Sequence, residues 1–507
     1  MTKGKVYLVG AGPGDPGLIT VRGKKCIETA DVLIYDYRAS PALLLHAPPG
    51  ADIIYVGKKD GIHTLPQEDI NRMVVEKALE GKTVVRLKGG DPFIFGRGGE
   101  EAEALTARSI PYEIVPGVTS GVAAAAYAGI PVTHRSLTST LAFVTGHENP
   151  DKETSKIDWP CLAKGIGTLV FFMGVKNLPE IVRQLVLNGR PAATPVALVR
   201  WGTTPRQLTV TGTLENIVKR VRAAGLRAPA VIIVGEVVKL RGTLKWFEGR
   251  PLMGKTVVVT RARSQASDLV ARLEELGADC FECPTIKIAP PEDTTALDRA
   301  IDDIGSYHWL IFSSVNGVIS FFQRLFALGK DARVLGHIRT AAVGPATSQK
   351  MLDYGVGTDI IPESYRAESV AEAFAQVNMQ GKHVLLPRAE KARPVIPREL
   401  GKMGAIVDDV TAYRTVQDRQ NVDRLMDLFR KNRAHMITFT SSSTAKNFKA
   451  LFDPEEFPTL TAGVPVAAIG PVTAKTAKDL GMRVDLVPDE FTIPGLCNAV
   501  LKYFQPE

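Results

Sequence analysis

The stretch "VYLVGAGPGDPGLIT" at Val6–Thr20 runs from an apolar strand into a glycine-rich turn. Three of its glycines, Gly12, Gly14 and Gly17, match G-x-G-x-x-G, the spacing of a dinucleotide-binding turn between a strand and a helix. That turn needs backbone N–H groups aimed at a pyrophosphate. Pro13 and Pro16 have no N–H to donate, and Asp15 places a carboxylate where a phosphate would sit. The residues therefore favour another kind of glycine turn, and dinucleotide binding is the alternative.

A second glycine turn lies in "VVRLKGGDPFIFGRGGEE" at Val84–Glu101. A strand ends at Gly89 and Gly90, so the backbone can approach a ligand without a Cβ in the way. Asp91 follows at once and can offset a positive charge. A cofactor that carries a cation fits these acidic residues better than one that carries phosphates. A tight turn before a helix cap would explain the glycines but not the whole string.

Outward from these turns, strand and helix patterns alternate along the chain, which predicts an α/β fold. Strands are predicted at "KVYLVG", "DVLIYD", "DIIYVG" and "TVVRLKGGD", with a helix at "EDINRMVVEKALEGK" that ends at Gly81. The Pro/Gly-punctuated crossing "IPYEIVPGVTSG" predicts a domain boundary near residue 116. A second α/β region follows, with strands at "LAFVTGH", "TLVFFMG", "TPVALVRWGT" and "APAVIIVGEVV". The predicted domains are residues 1–116 and 117–240, a linker at 241–253, and residues 254–507.

Length and composition describe a globular protein of several folding units. The chain has 507 residues, with 45% hydrophobic and 23% charged residues, and about 150 residues per unit is typical. No apolar run reaches the ~18 residues of a membrane helix, and the N-terminus does not resemble a signal peptide. We therefore expect a cytoplasmic protein without a membrane partner.

The charge and the cysteines exclude some classes of function. The net charge is +8, but Lys and Arg do not cluster as in a nucleic-acid tail. The excess positive charge therefore suits an acidic small substrate or a solvated surface.

Cys280 and Cys283 form a C-x-x-C motif in a predicted strand, where positions three apart point to opposite faces. Two structural thiols are favoured over a redox or metal pair. His134 and His147 lack metal-ligand spacing, so no metal site is predicted.

Residues 254–507 contain an internal sequence repeat. "GKTVVVTRA" recurs as "GKHVLLPRA", with Arg261 and Arg388 127 residues apart. "AAVGPATSQKM" recurs as "AAIGPVTAKTA", with Gly344 and Gly470 126 residues apart. A nearly constant offset predicts a duplicated α/β unit and two similar lobes with a cleft between them.

Residues 1–240 resemble the uroporphyrinogen-III C-methyltransferases of the tetrapyrrole methylase family. The resemblance is carried, in order, by "VYLVGAGPGDPGLITVRG", "VRLKGGDPFIFGRGGEE", "PGVTSGVAAAAYAGIPVTHR", "TLVFFMG", "RWGTTPRQ" and "APAVIIVGEVV". It implies two α/β domains with the active site between them, S-adenosyl-L-methionine as cofactor, and a homodimer formed through this half. The sulfonium cation of that cofactor agrees with the acidic residues of the glycine turns.

The same resemblance implies site residues. Asp36 matches the proposed proton acceptor and Lys58 the proposed proton donor. Loop capping by Asp36, and a surface or carboxylate-pairing role for Lys58, are the structural alternatives. The family more often has an arginine directly after the aspartate, whereas here Arg38 stands two positions on. The implied cofactor contacts are Pro13, Gly89, Gly90, Asp91, Ile94, Thr119, Ser120, Met173, Gly202 and Ala230.

Residues 254–507 resemble uroporphyrinogen-III synthase through "VVVTRA", "IFSSVNGV", "AAVGPATS", "VTAYRT", "ITFTSSS" and "AIGPVTA". The resemblance implies two α/β lobes, one inserted into the other, that close hydroxymethylbilane with inversion of one pyrrole ring. Tyr413 matches the tyrosine favoured as the family's acid, with packing between the lobes as the alternative. Substrate contacts are expected at Arg261, Ser314, Ser441 and Thr473, although the three hydroxyl residues also suit helix N-caps.

The sequence thus predicts a bifunctional enzyme that makes uroporphyrinogen III and methylates it twice to precorrin-2, on the path to sirohaem and corrinoids. Neither NAD use nor iron insertion is expected, because the chain begins at the methyltransferase strand. Two alternatives stay open at this point. Relatives of the same fold methylate ribosomal RNA, although "KGGDPFIFGRGG" belongs to the corrinoid-type branch and no nucleic-acid partner is expected. The second half could also be a non-catalytic tetrapyrrole-binding module.

Overall fold

The structure is a computed structural model. It describes residues 3–57, 65–147, 157–261, 263–362, 372–374 and 376–505, of which 263–267 are described by their backbone alone. Four five-stranded sheets, flanked by helices, make up the fold, which confirms the predicted α/β class. Within these ranges, every helix is too short or too polar to cross a bilayer.

The chain divides into two compact units. The first comprises Met1–Val257, Leu269–Cys280 and Cys497–Glu507, and the second comprises Val258–Asp268 and Phe281–Leu496. The first and second sheets lie in the first unit. The predicted boundaries at residues 116, 240 and 253 remain predictions.

The first sheet is wholly parallel, with strand order β3-β2-β4-β1-β5. Its elements are β1 (Val6–Gly10), α1 (Val21–Glu28), β2 (Val32–Tyr35), β3 (Asp52–Tyr55), α2 (Gln67–Leu79), β4 (Val84–Lys88), α3 (Gly98–Thr106) and β5 (Tyr112–Val115). Because the strands are parallel, the loops after β1, β2, β4 and β5 emerge at one edge, where α/β sheets bind ligands. Both glycine turns of the sequence lie at this edge.

Strand β5 differs from the sequence prediction, in which this stretch was a connection that crosses from one domain to the next. Four residues, Tyr112–Val115, pair in parallel with β1. Local sequence does not indicate this, because Pro111 and Pro116 bracket the run and the pairing partner lies about a hundred residues away. The predicted helix before β4 is confirmed at Gln67–Leu79, and Gly81 follows it with φ +84°.

The second sheet is mixed, with order β6-β7-β10-β8-β9. Its strands β7 and β8 are each antiparallel to β10, so they run in the same direction as one another. The carboxyl ends of β7 and β8 therefore meet the start of β10 at one edge. The elements are α4 (Ser120–Tyr127), β6 (Leu141–Thr145), α5 (Trp159–Gly165), β7 (Thr168–Phe172), α6 (Leu178–Leu187), β8 (Pro195–Arg200), β9 (Leu208–Thr213), α7 (Ile217–Ala223), β10 (Ala230–Val234) and α8 (Arg241–Leu244).

The stretch predicted as a linker carries the short helix α8 and then an aromatic cluster. Trp246 and Phe247 pack against Tyr127, with ring centroids 5.0 and 4.7 Å from the tyrosine ring. The indole N–H of Trp246 donates to the carbonyl of Ala126 at 3.1 Å. These contacts fasten residues 246–247 to the end of α4.

The third and fourth sheets hold the repeated half of the chain. Their orders are β12-β11-β18-β19-β20 and β13-β17-β16-β14-β15. The elements are β11 (Thr256–Val259), α9 (Arg263–Glu275), β12 (Asp279–Glu282), β13 (Ile286–Ala289), α10 (Thr295–Asp302), β14 (Trp309–Phe312), α11 (Val315–Ala327), β15 (Arg339–Ala342), α12 (Pro345–Asp353), β16 (His383–Ala389), α13 (Val395–Lys402), β17 (Ile406–Gln417), α14 (Val422–Arg430), β18 (Met436–Phe439), α15 (Ser442–Lys449), α16 (Phe457–Thr461), β19 (Val466–Ala468), α17 (Pro471–Asp479), β20 (Val484–Leu486) and α18 (Ile493–Phe504).

The repeat is visible in the backbone at the helix starts. Ser314 and Ser441 cap their helices with φ/ψ of −162°/155° and −162°/159°, and Gly344 and Gly470 with −163°/170° and −168°/171°. The strand order shows that β13–β17 form a lobe inserted between β12 and β18 of the other lobe. The insertion implied by the resemblance is therefore present.

The two cysteines of the C-x-x-C motif, both among the described residues, have different surroundings, and neither forms a disulfide. Cys283 is buried in an apolar cluster, where burial raises the pKa of its thiol to about 12. Cys280 is partly exposed in β12.

Candidate active site

The two glycine turns are joined directly at the edge of the first sheet. Gly90 donates its N–H to the carbonyl of Gly12 at 2.7 Å and accepts from the N–H of Gly12 at 3.2 Å. Pro13 therefore lies beside the Gly89–Asp91 turn. The structure brings together these two groups of predicted cofactor contacts.

The loop after β5 closes on the same turn. The Asp91 carboxylate accepts from the N–H groups of Phe93 (2.8 Å) and Gly117 (3.0 Å), so it ties its own turn to the start of this loop. Thr119 then caps α4 by accepting from Gly121 at 3.4 Å. Asp91 thus has a structural role, and its charge stays at the edge of the sheet.

Space for a ligand lies between the Gly90 turn and the start of α4. Gly90 has φ +72°, and a Cβ built there would meet nothing nearer than Ser120 N and Thr119 Cα, both at 3.9 Å. A glycine face that opens onto the first turn of a helix can receive a ligand with a carboxylate. Together with the Asp91 charge, this opening fits a ligand that carries both a carboxylate and a cation.

The remaining predicted cofactor contacts lie at the edge of the second sheet. Met173 follows β7, Gly202 follows β8, and Ala230 opens β10 opposite Arg200. Gly202 lies against α4, since a Cβ there would be 2.4 Å from Cβ of Ala124. Ile94, by contrast, lies in the loop after β4 of the first sheet, where it is half-buried.

Several residues of these loops have strained backbones. Phe95, Met173, Trp201 and Thr203 have φ of +51°, +58°, +50° and +70°. Such conformations cost about 1–3 kcal/mol each and concentrate at functional sites. Strained backbones are therefore present at the edges of both sheets.

Side chains also connect the two edges. The rings of Phe95 and Phe172 are 5.2 Å apart, and Tyr37 meets Trp201 edge-on at 6.2 Å. The N–H of Asp15 donates to Oγ1 of Thr203 at 3.0 Å. The loops after β1, β2, β4, β7 and β8 therefore surround a common cleft.

The first turn is filled by an acidic side chain. The Asp15 carboxylate accepts from the Gly17 N–H at 2.8 Å and from the Tyr127 hydroxyl at 2.8 Å. Pro16–Leu18 form a single 3-10 turn instead of the α-helix of a dinucleotide site. Asp15 occupies the place that a pyrophosphate would need.

Tyr127→Phe tests the hydrogen bond between Tyr127 of α4 and Asp15 of the first turn. Burial, and then the hydrogen bond to Asp15, raise the pKa of Tyr127 to about 12. The protonated phenol therefore stabilises the fold fully below pH 10, and this contribution is lost as the pH rises toward 12. We expect the variant to unfold more easily by about 1–2 kcal/mol at neutral pH. Thermal unfolding of both proteins should show the gap narrowing across that alkaline range. A gap independent of pH would contradict this role of the hydroxyl.

Asp36 stands at the end of β2, with a side chain 27% exposed. One carboxylate oxygen accepts from the Arg38 N–H at 3.0 Å, and the other from the Arg86 guanidinium at 3.3 Å. The first contact is the loop-capping role weighed as an alternative. The second orients the carboxylate from inside the sheet. The side chain of Arg38 lies over Gly89. A Cβ built at Gly89 would be only 2.4 Å from the Cβ of Arg38.

Behind Asp36 lie buried charges that were not predicted from the sequence. Arg86, Lys88 and Glu101 have side chains 4%, 4% and 1% exposed. The available signal was the pair of basic residues two positions apart within an otherwise apolar strand, because such positions share one face. The predicted proton donor Lys58 lies outside the described residues.

In the repeated half, two predicted residues meet. The Tyr413 hydroxyl lies 3.0 Å from Oγ of Ser314, which also caps α11. The tyrosine is buried in the core of the inserted lobe, so both of its suggested roles retain support. Ser441 caps α15 in a capping box with Thr444.

The other predicted substrate contacts belong to the third sheet. Arg261 and Ser441 follow β11 and β18, and Thr473 is buried in the helix after β19. These strands are neighbours in that sheet. The structure thus divides the predicted contacts between the two lobes, with Tyr413 and Ser314 in one and these three in the other.

Comparison with known families matches both halves of the chain. Residues 5–218 match the Tetrapyrrole (Corrin/Porphyrin) Methylases, and residues 267–498 match Uroporphyrinogen-III synthase HemD. The Porphyrin biosynthesis protein HemD of Ruminiclostridium josui is 37% identical over 502 residues, which is 99% of this chain and 98% of that protein.

Two further relatives align with the N-terminal half. The Uroporphyrinogen-III C-methyltransferase of Priestia megaterium is 58% identical, over 46% of this chain and 98% of that protein. The S-adenosyl-L-methionine-dependent uroporphyrinogen III methyltransferase of Methanosarcina barkeri is 52% identical, over 48% of this chain and 94% of that protein. The chain belongs to the tetrapyrrole methylases through its N-terminal half and to the uroporphyrinogen-III synthases through its C-terminal half.

Proposed function

We propose that this chain is a bifunctional enzyme of tetrapyrrole biosynthesis. Its C-terminal half closes hydroxymethylbilane to uroporphyrinogen III, and its N-terminal half methylates that product twice to give precorrin-2, on the path to sirohaem and corrinoids. The observation that carries the proposal is the placement of the Asp36 carboxylate, held by Arg86 at the sheet edge that carries both glycine turns.

S-adenosyl-L-methionine is the cofactor of the N-terminal half and supplies a methyl group from a sulfonium cation. The opening between Gly90 and the start of α4 fits its amino-acid part, because N–H groups there favour a carboxylate. The Asp91 charge favours a cation. The residues proposed to hold it are Pro13, Gly89, Gly90, Asp91, Ile94, Thr119, Ser120, Met173, Gly202 and Ala230.

Asp36 is the proposed base of methylation. An electron-rich pyrrole carbon gains a carbon–carbon bond to the methyl group, and the macrocycle must then lose a proton. A carboxylate positioned at that proton accepts it, which contributes about 10²–10⁴-fold to the rate. Lys58 is the proposed proton donor.

Tyr413 is the proposed acid of ring closure. Hydroxymethylbilane loses water when it closes, and the phenol, supported by Ser314 at 3.0 Å, can protonate the departing hydroxyl. Arg261, Ser314, Ser441 and Thr473 are proposed to bind the carboxylate arms. This chemistry mainly requires that a flexible acidic chain be held in a folded shape.

Tyr413→Phe tests the synthase half. With hydroxymethylbilane as the substrate and no S-adenosylmethionine, we expect formation of the III isomer to fall at least about tenfold, with the spontaneous I isomer in its place. Chromatography of the oxidised products measures the ratio. Tyr307→Phe is the matched control, because Tyr307 is equally buried in the same lobe and bonds to Asp408 at 2.5 Å. Equal III-isomer yields from both variants would leave Tyr413 a packing residue, and an unmodified chain that yields only the I isomer would contradict the synthase function.

Further proposals concern partners and location. The positive net charge favours substrates with a carboxylate on every peripheral arm, so acidic tetrapyrroles, not nucleic acids, are the proposed partners, with a homodimer formed through the N-terminal half. None of the five cysteines, all of which lie in the part of the chain that the structure describes, forms a disulfide, which is typical of proteins in a reducing compartment such as the cytoplasm.

A further inference from the structure

Four charged groups form a continuous row between the first sheet and α3 and end at Asp36. Arg86 and Lys88 are two residues apart on β4, so their side chains share one face. Glu101 of α3 lies between them, and the three side chains are 4% exposed or less. Asp36, with a side chain 27% exposed, is the member of the row that reaches the cleft.

One carboxylate oxygen organises the buried part of the row. Oε1 of Glu101 accepts from Lys88 Nζ at 2.7 Å, from Gln67 Nε2 at 3.0 Å and from Arg86 Nε at 3.3 Å. Arg86 also donates to the carbonyl of Leu87 at 3.0 Å. These contacts fix the guanidinium plane, and its Nη2 then reaches the Asp36 carboxylate at 3.3 Å.

Stability alone does not explain such an arrangement. Removing charges from water costs several kcal/mol per ion, and well-packed apolar residues of similar volume are often neutral or more stabilising. The cost is evident at Lys88, whose pKa is lowered by burial and then by Arg86, against the opposing effect of Glu101. What the row supplies is geometry, because a guanidinium held at all three of its nitrogens has a single orientation.

We propose that Arg86 is a positioning residue for methylation: held by Glu101 and the Leu87 carbonyl, it orients the Asp36 carboxylate toward the cleft. The proposal rests on the proposed function of Asp36 as the base. Arg86 is buried away from the cleft and acts on the reaction through Asp36. A base displaced by about 1 Å can lose about 10²-fold in rate, so orientation is a sufficient reason to keep the network.

The test compares Arg86→Met, Asp36→Asn and the double variant. Arg86→Met leaves Lys88 and Glu101 as a balanced pair and replaces the guanidinium by an apolar chain. We expect kcat for methylation to fall at least about tenfold, with binding of S-adenosylhomocysteine measured by calorimetry unchanged. In the Asp36→Asn background the same change should cost nothing more, because residues that act as one unit are not additive.

Controls separate orientation from folding. Arg183→Met removes an exposed arginine that pairs with Glu180 at 2.6 Å, and it should change nothing. Arg86→Lys, which retains a buried cation, should recover part of the activity. If Arg86→Met does not fold, Glu101→Gln loosens the same guanidinium without a change of volume and should give the same non-additive loss.

The outcomes distinguish the two proposals. Undiminished methylation by Asp36→Asn would overturn the role of Asp36 itself. Loss by Asp36→Asn, combined with either an unaffected Arg86→Met or a fully additive double variant, would overturn the positioning role of Arg86 and leave the proposed base intact.

Discussion

Replacing Asp36 by Asn is expected to slow methyl transfer to uroporphyrinogen III by about 10²–10⁴-fold. The amide keeps the size of the carboxylate and can still accept from the Arg38 N–H, so the loop after β2 should hold its shape. It cannot accept a proton from the macrocycle. Single-turnover methylation, followed by product mass, measures the loss, and calorimetry should show S-adenosylhomocysteine binding as before.

Asp52→Asn is the matched control for this prediction. Asp52 is the first residue of β3 and lies at the amino-terminal ends of the strands, whereas Asp36 lies at their carboxyl ends. It is exposed, and its carboxylate lies 3.8 Å from Nζ of Lys77. Its variant should methylate normally. If Asp36→Asn turned over as fast as this control, Asp36 would be only a loop cap.

Gly117→Ala is expected to disrupt the cofactor side of the cleft. A Cβ at Gly117 would lie 2.3 Å from the Gly90 carbonyl oxygen and 2.7 Å from Gly10 Cα. Both neighbours are backbone atoms, so no flexible side chain can move aside. Overpacking of this kind costs about 1–3 kcal/mol or more. Because the clash displaces the Gly90 turn, affinity for S-adenosylhomocysteine should fall at least tenfold, by about 1.4 kcal/mol.

Gly242→Ala provides the comparison. Gly242 lies in α8 of the same unit, and a Cβ there meets nothing within 4 Å. Alanine should leave ligand affinity unchanged and stabilise the helix by up to about 1 kcal/mol. Calorimetric titration and thermal unfolding of the two variants test the difference. Equal affinities would show that the Gly10, Gly90 and Gly117 junction does not shape the ligand site.

Pro13 and Asp15 show what local chemistry in the sequence can establish. A proline without an N–H and a carboxylate in the turn argued against a phosphate site, and the structure places the Asp15 carboxylate on the Gly17 N–H. The identity of the cofactor did not follow from these residues. It followed from long motifs that resemble a known family.

The internal repeat predicted two lobes but not how each copy is distributed between them. Equal offsets predicted two lobes, and two sheets with corresponding strand orders are present. Each sequence copy, however, is divided between the lobes: β11 and β12 of the first copy join β18–β20 of the second, while β14 and β15 join β16 and β17. Such an exchange leaves the offset unchanged, so the spacing of motifs cannot reveal it.

The buried charges and β5 were missed for a related reason. Arg86, Lys88 and Glu101 are ordinary charged residues in isolation, and only the packing of α3 against the sheet brings them together. The pairing of Tyr112–Val115 with β1 likewise depends on a distant strand. Features that arise from contacts between remote segments are those that a single sequence conveys least.

The most direct test of the central claim is to supply the purified chain with hydroxymethylbilane, with and without S-adenosyl-L-methionine, and to identify the tetrapyrroles by mass and isomer analysis. A bifunctional enzyme should give uroporphyrinogen III alone without the methyl donor and its dimethylated derivative, precorrin-2, with the donor. Unmethylated tetrapyrrole in both reactions, despite a folded chain, would contradict the methyltransferase function.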